Sequence, residues 1–100
     1  MLYMTVHLYG RHGLAGEFRE YEQKALDIFR KHGGEVIVAY VPAPSSGSAE
    51  TPDEIQVLRI ESRTALEEFM NDPSRVSMAG ERDAVIRRTE VFLSDELIAY

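Results

Sequence analysis

The hydrophobic pattern opens with a clean alternation. In residues 2–9, Leu2, Met4, Val6 and Leu8 share one parity and Tyr3, Thr5, His7 and Tyr9 the other, the period-two signature of a strand. Gly10, Gly13 and Gly16 break that pattern, after which Phe18, Tyr21, Ala25, Ile28, Phe29 and His32 recur at helical spacing. A helix is predicted over residues 17–32, stopped by Gly33-Gly34, with Lys31 and His32 at its negative end. The run EVIVAYV, residues 35–41, is largely β-branched and aromatic and predicts a strand covered on both sides. Residues 42–53, PAPSSGSAETPD, can neither fill a core nor hold a ladder, and predict an exposed loop.

A third strand follows over residues 54–61, with Ile55, Val57, Arg59 and Glu61 on one parity. Ser62 and Thr64 both suit a helix N-cap, the latter with Glu67 as a capping box, before a short helix carrying Leu66, Phe69 and Met70. Asn71-Asp72-Pro73 interrupts that helix. A further helical piece is predicted over residues 74–87, with Val76, Met78 or Ala79, Val85 and Ile86 as its buried positions, although Gly80 weakens it. A fourth strand is expected at residues 90–93.

The order β-α-β-β-α-β predicts an α+β fold, the ferredoxin-like sandwich: a four-stranded antiparallel sheet with its helices on one face, as a single domain over residues 1–100. If the helices cover the Leu2, Met4, Val6 and Leu8 side, the open side exposes Tyr, Val and Ile side chains in a patch larger than a monomer usually tolerates. A second copy of the chain is the expected cover, giving a homodimer through the open sheet face.

Composition narrows the function classes. With no cysteine among its 100 residues, the chain has no disulfide, thiolate metal site or cysteine nucleophile. A net charge of −6 opposes binding to nucleic acid, whose non-specific affinity depends on basic groups displacing counterions. The adjacent Arg87-Arg88 reads as solvated or as complementing a helix end. No apolar run reaches the roughly 20 residues of a membrane span, and the apolar start lacks the basic leader of a signal peptide, so a cytoplasmic location and no membrane partner are expected.

Two resemblances follow from particular stretches. EFREYEQKALDIFRKHGGEV, a Ser/Pro-rich loop and then IQVLRIESRTALEEFMNDPSR together resemble an uncharacterised domain family of the dimeric α/β-barrel superfamily. The resemblance implies ferredoxin-like subunits whose sheets pack face to face in a homodimer. It also places the chain near cofactor-free monooxygenases, haem-degrading enzymes, lactone isomerases and chlorite dismutases, among which fold alone selects none. The haem-degrading members use an Asn, a Trp and a His; this chain has no Trp and a single Asn at Asn71, and that activity is not carried over. Separately, YGRHGLAGEF resembles the phosphate loop of acylphosphatases, with Arg11 as the anion-binding group, but no Asn follows on the next strand to orient a water.

The candidate chemistry concentrates on the open face. His7 can carry a proton near neutral pH and Arg59 can clamp a carboxylate or enolate, so these two are the expected catalytic residues, with Tyr3, Tyr9 and Tyr40 as ligand-binding neighbours. The bland reading of the same residues is an interface network in which Arg59 pairs with Glu61 or with a carboxylate of the second subunit. His7, His12 and His32 lack metal-ligand spacing, and no metal or other cofactor is expected. Ser45, Ser46 and Ser48 sit in a predicted loop with no evident base to activate them. The function expected is binding or transforming a small organic acid or aromatic metabolite. The alternatives are a non-catalytic structural or regulatory homodimer and an acylphosphatase-like hydrolase; whether the chain is an enzyme stays open.

Overall fold

In a computed structural model, which describes residues 1–44, 47 and 50–100, the elements run β1 (Leu2–Gly10), α1 (Ala15–Lys31), β2 (Glu35–Tyr40), β3 (Glu54–Ile60), α2 (Arg63–Met70), α3 (Pro73–Val76), α4 (Ala79–Val85) and β4 (Ile86–Ser94). The strands form one antiparallel sheet in the order β2-β3-β1-β4. Alternation decides what faces the helices. Leu2, Met4, Val6 and Leu8 of β1, with Leu58 and Ile60 of β3, meet Phe18, Tyr21 and Phe29 of α1, Leu66 of α2 and Val85 of α4 in one apolar core. This is the ferredoxin-like arrangement, with the helices on one side of the sheet.

The helix ends follow local chemistry. At the end of α1, Gly33 takes a left-handed φ of 84°. Its N–H donates to Arg30 O while the N–H of Gly34 reaches back to Phe29 O, the paired bonds that close a helix on a glycine. Gly34 serves a different need: a Cβ there would lie 2.3 Å from the Phe29 ring. Ser62 caps α2, its Oγ accepting the Ala65 N–H at 3.1 Å. Thr64 lies inside the helix, so the alternative Thr64–Glu67 cap is not used.

Three expectations are corrected. The strand predicted as covered on both sides, β2, is an edge strand with Ile37, Val38 and Tyr40 each nearly half exposed, because only Val36 packs against the core beneath α1 and β3 pairs with only one of its edges. The helix predicted over residues 74–87 divides into α3 and α4 and stops at Val85, and Val76 is exposed. From Ile86 the chain pairs with β1, which draws Arg87 and Arg88 into β4 instead of a helix end. Long-range pairing overrides local helix propensity there. Ser45, Ser46 and Ser48, considered above as nucleophiles, lie outside the described residues.

Candidate functional site

Between the sheet and the helices lies a cleft of about 350 Å³. Its floor is buried apolar surface from Met4, Leu8, Phe29 and Leu58, and its rim includes the exposed Met70 and Val91. The opening has a structural cause. Leu93, Val91 and Thr89 of β4 stand opposite Met4, Val6 and Leu8 and therefore face the helix side. Val91 is 48% exposed and Leu93 40%, so the helices leave the inner side of β4 uncovered. Arg75 and Arg82 also line the cleft; Arg82 donates to Thr89 Oγ1 at 3.0 Å, and Arg75 lies over the Phe69 ring.

One carboxyl group is sunk into this apolar surface. Glu22 lies one helical turn beyond Phe18 and one before Ala25, within the apolar stripe of α1, and is 8% exposed. The amide of Gln56 donates to Glu22 Oε1 at 2.8 Å and to Glu54 Oε2 at 2.7 Å, joining three buried polar residues. Glu54 continues to Arg19 at 3.7 Å. Burial pushes the Glu22 carboxyl up to about 7, against the lowering effect of the Gln56 hydrogen bond, and the Glu54 charge pushes in the same direction as burial. A carboxyl group balanced near neutrality in an apolar cleft can give or take a proton. Burial likewise raises the neighbouring Tyr21 phenol, which also lines the cleft.

The residues singled out from sequence lie on the other face. The register places His7 opposite Ile55 and Arg59 opposite Tyr3, four residues apart along the paired strands, or roughly 13 Å at strand rise. His7 and Arg59 share a face but are not brought together. Arg59 is held by Glu35 of β2, through Nε at 3.0 Å and Nη2 at 2.6 Å, rather than by Glu61. His7 Nδ1 lies 3.6 Å from Glu90, whose Oε1 accepts the Tyr9 hydroxyl at 2.9 Å, and its ring meets Phe92 edge-on. Tyr9 is 4% exposed because Arg88 stacks over its ring at 4.0 Å, with Arg87 at 5.6 Å. Tyr3 is half-buried beside Arg59, and Tyr40 is exposed on the edge strand, opposite Ile55.

The remaining candidates have structural partners. His32 Nε2 lies 2.7 Å from the buried Asp72, which also caps α3 through the Ser74 N–H. These bonds, His32 first, hold the Asp72 carboxyl down at about 2. At the end of β1, Gly10 gives its N–H to Asp53 at 2.7 Å. That N–H is therefore not part of a backbone cradle for phosphate.

Sequence reasoning placed the pocket on the open face and missed the covered cleft, although a signal for it was present. Parity puts Glu54 and Gln56 on the helix side of β3, and the α1 stripe contains Glu22 among aromatic residues. Two polar groups pointing inward toward a third is a sequence-level signal of a buried polar site. What the pattern lacks is the pairing register that brings them within hydrogen-bond distance.

No protein-family model matches the chain, and no curated protein is similar to it. Solved structures are similar in fold. A protein of unknown function from Rhodopseudomonas palustris superposes with a TM-score of 0.82 at 17% identity, covering 98% of this chain and 83% of its own. A DABB-family protein of Mesorhizobium loti, described as having a ferredoxin-like fold, gives 0.69 at 13% identity, with 96% of each chain covered. A protein of Nitrosomonas europaea provisionally named an antibiotic biosynthesis monooxygenase gives 0.70 at 11% identity, covering 98% of this chain and 100% of its own. At such identities the similarity establishes the shared ferredoxin-like fold.

Proposed function

We propose that the covered cleft binds a small organic acid or aromatic molecule and exchanges a proton with it at Glu22, without a cofactor, in a chain that works as a homodimer. The single observation behind this reading is the Glu22 carboxyl, pushed up to about 7 inside an apolar cleft of about 350 Å³. That volume falls within the range of about 300–1,000 Å³ typical of small-molecule sites. The lining guanidinium groups of Arg75 and Arg82 suit an acidic substituent, and the aromatic and aliphatic floor suits a ring. Glu22 as carboxylate would take a proton from a carbon made acidic by a neighbouring carbonyl, and as neutral acid would return one. The Nitrosomonas neighbour's name also concerns chemistry on an organic molecule; it adds direction, not assignment.

A thermal-shift screen of aromatic and aliphatic carboxylic acids, run in parallel on the wild type and Glu22→Gln, tests the cleft. A ligand that stabilises the wild type, with any turnover lost in Glu22→Gln, is the expected result. Stabilisation by none of them, or turnover undiminished by the substitution, would overturn the reading. A non-catalytic role is favoured by one feature: Glu22, Gln56 and Glu54 already satisfy one another.

The homodimer rests on the open face. Val38, Tyr40 and Phe92 are each about half exposed there, around the partly buried Thr5, His7, Ile55 and Val57. In this reading Tyr3, His7, Tyr40 and Arg59 meet the second subunit, and a ligand role for His7 or Arg59 needs that subunit to complete the site. Light scattering over about two decades of concentration decides it, because a dimer shows twice the monomer mass at the concentrated end, falling on dilution only near its Kd, and a monomer keeps the single mass throughout.

A further inference from the structure

A second hollow, of about 630 Å³, lies at the C-terminal end of β1, apart from the covered cleft. Arg11 and His12 of the β1–α1 connection, Arg19 of α1 and Arg87 of β4 line it, with Glu50 and Asp53 as the acidic members. Both carboxylates are already engaged: Asp53 by the Gly10 N–H, and Glu50 by Arg87 and Arg88. Arg11 differs from its neighbours. Its backbone N–H donates to Val85 O at 2.9 Å, which anchors the main chain, and its Nε donates to Asp83 O at 2.8 Å, so one carbonyl of α4 directs the side chain without neutralising it. Among the described residues Arg11 has no ion-pair partner, and Arg19 has only the 3.7 Å contact with Glu54. In a chain of net charge −6, an aimed guanidinium without a carboxylate is an unspent anion contact at the edge of a hollow large enough for a small metabolite.

We propose that this hollow binds a small molecule through an oxyanion group, phosphate or carboxylate, with Arg11 as a two-pronged clamp and Arg19 as a second cation. The site binds and is not proposed to hydrolyse, since the Gly10 N–H is taken by Asp53. It is a site separate from the cleft at Glu22, joined to it only through the Arg19–Glu54–Gln56 contacts.

The test is an amide-detected NMR titration of the whole chain at constant ionic strength, with inorganic phosphate and, separately, with benzoate. The amides of Arg11, His12 and Gly13 should shift saturably with at least one probe, and the responding probe names the oxyanion. Arg11→Gln should weaken binding by at least about tenfold, the loss of a charge-assisted pair. Arg11→Lys should recover only part of it, because an ammonium supplies charge without the planar fork. Glu22→Gln should leave the saturable shifts of Arg11, His12 and Gly13 in place, since Arg11 touches no member of the Glu22 network, which keeps the outcome separate from that of the covered cleft. Shifts that never saturate with either probe, or a folded Arg11→Gln that binds like the wild type, would overturn the proposal. Should Arg11→Gln fail to fold, Arg19→Gln on the exposed side of α1 takes its place, with a several-fold loss expected and an unchanged affinity overturning it.

Discussion

On the helix side of the sheet, Glu22, Gln56 and Glu54 form a chain of three polar residues, each less than 9% exposed. On the open side, His7, Glu90 and Tyr9 form another, in which only Tyr9 is buried. Polar contacts link both sets, through hydrogen bonds on the helix side and through one hydrogen bond and the 3.6 Å His7–Glu90 contact on the open side, so connectivity does not separate them. Desolvation does. Packing of α1 on the sheet removes water from Glu22, and Gln56 of β3 supplies one amide in exchange, whereas the His7–Glu90 pair keeps part of its hydration.

Asp72 makes the same point from the other direction. Its carboxyl is held at about 2, where that of Glu22 rises to about 7, because hydrogen bonds outweigh desolvation at Asp72 and desolvation comes first at Glu22. Asp72 accepts from His32, the Ser74 N–H and Lys31, while Glu22 has one neutral donor and a second carboxylate nearby. The number and charge of donors, set against burial, decide the sign.

The contrast between the faces breaks most decisively through packing. Phe29→Ala should destabilise by about 3–5 kcal/mol in urea unfolding, since its side chain is 1% exposed at the centre of the core. Phe92→Ala on the open face should cost the dilute monomer less than about 0.5 kcal/mol and instead weaken self-association. Equal costs for the two would erase the distinction between the faces.

The Glu22 charge comes next. Its folded pKa of about 7 lies above its ordinary 4.5, so the native state binds the extra proton. Its contribution is fully present below about pH 4.5, is lost as pH rises toward 7, and is flat above. Glu22→Gln should remove that slope and raise stability near pH 8 by an amount on the order of 3 kcal/mol. Unfolding curves at several pH values check it, and an unchanged slope would mean the carboxyl is well hydrated.

Asp72 has the opposite sign. Its pKa is depressed from 3.8 to about 2, so its contribution is present above 3.8 and disappears as pH falls through 2. Asp72→Asn keeps a capping side chain but loses the charge, so it should flatten this acid limb and lower stability above pH 3.8, which acid titration followed by circular dichroism would show. The smallest effect is expected for Arg59→Met. Removing its exposed pair with Glu35 should leave monomer unfolding unchanged. A clear loss seen only at dimer-forming concentrations would place Arg59 in the interface.

Local signals carried much of this far. The alternation of β1, the glycine stop after α1, the Ser62 cap and the break at Asn71-Asp72-Pro73 all depend on a few neighbouring residues, and the ferredoxin-like order follows from their succession. Parity even assigned Tyr3, His7 and Arg59 to one face. Parity has no length scale, however, and the separation of His7 from Arg59 is set by which residue pairs with which across the sheet. Strand exposure is similarly non-local: EVIVAYV reads as a buried strand, and only its place at the sheet edge leaves it in water. The sequence by itself determined the succession of strands and helices and the two-sided character of β1, while the point where α4 gives way to β4 followed from pairing with β1. Tertiary structure alone decided which carboxyl loses its water, because that depends on helices meeting the sheet over Glu22 while leaving the inner side of β4 open.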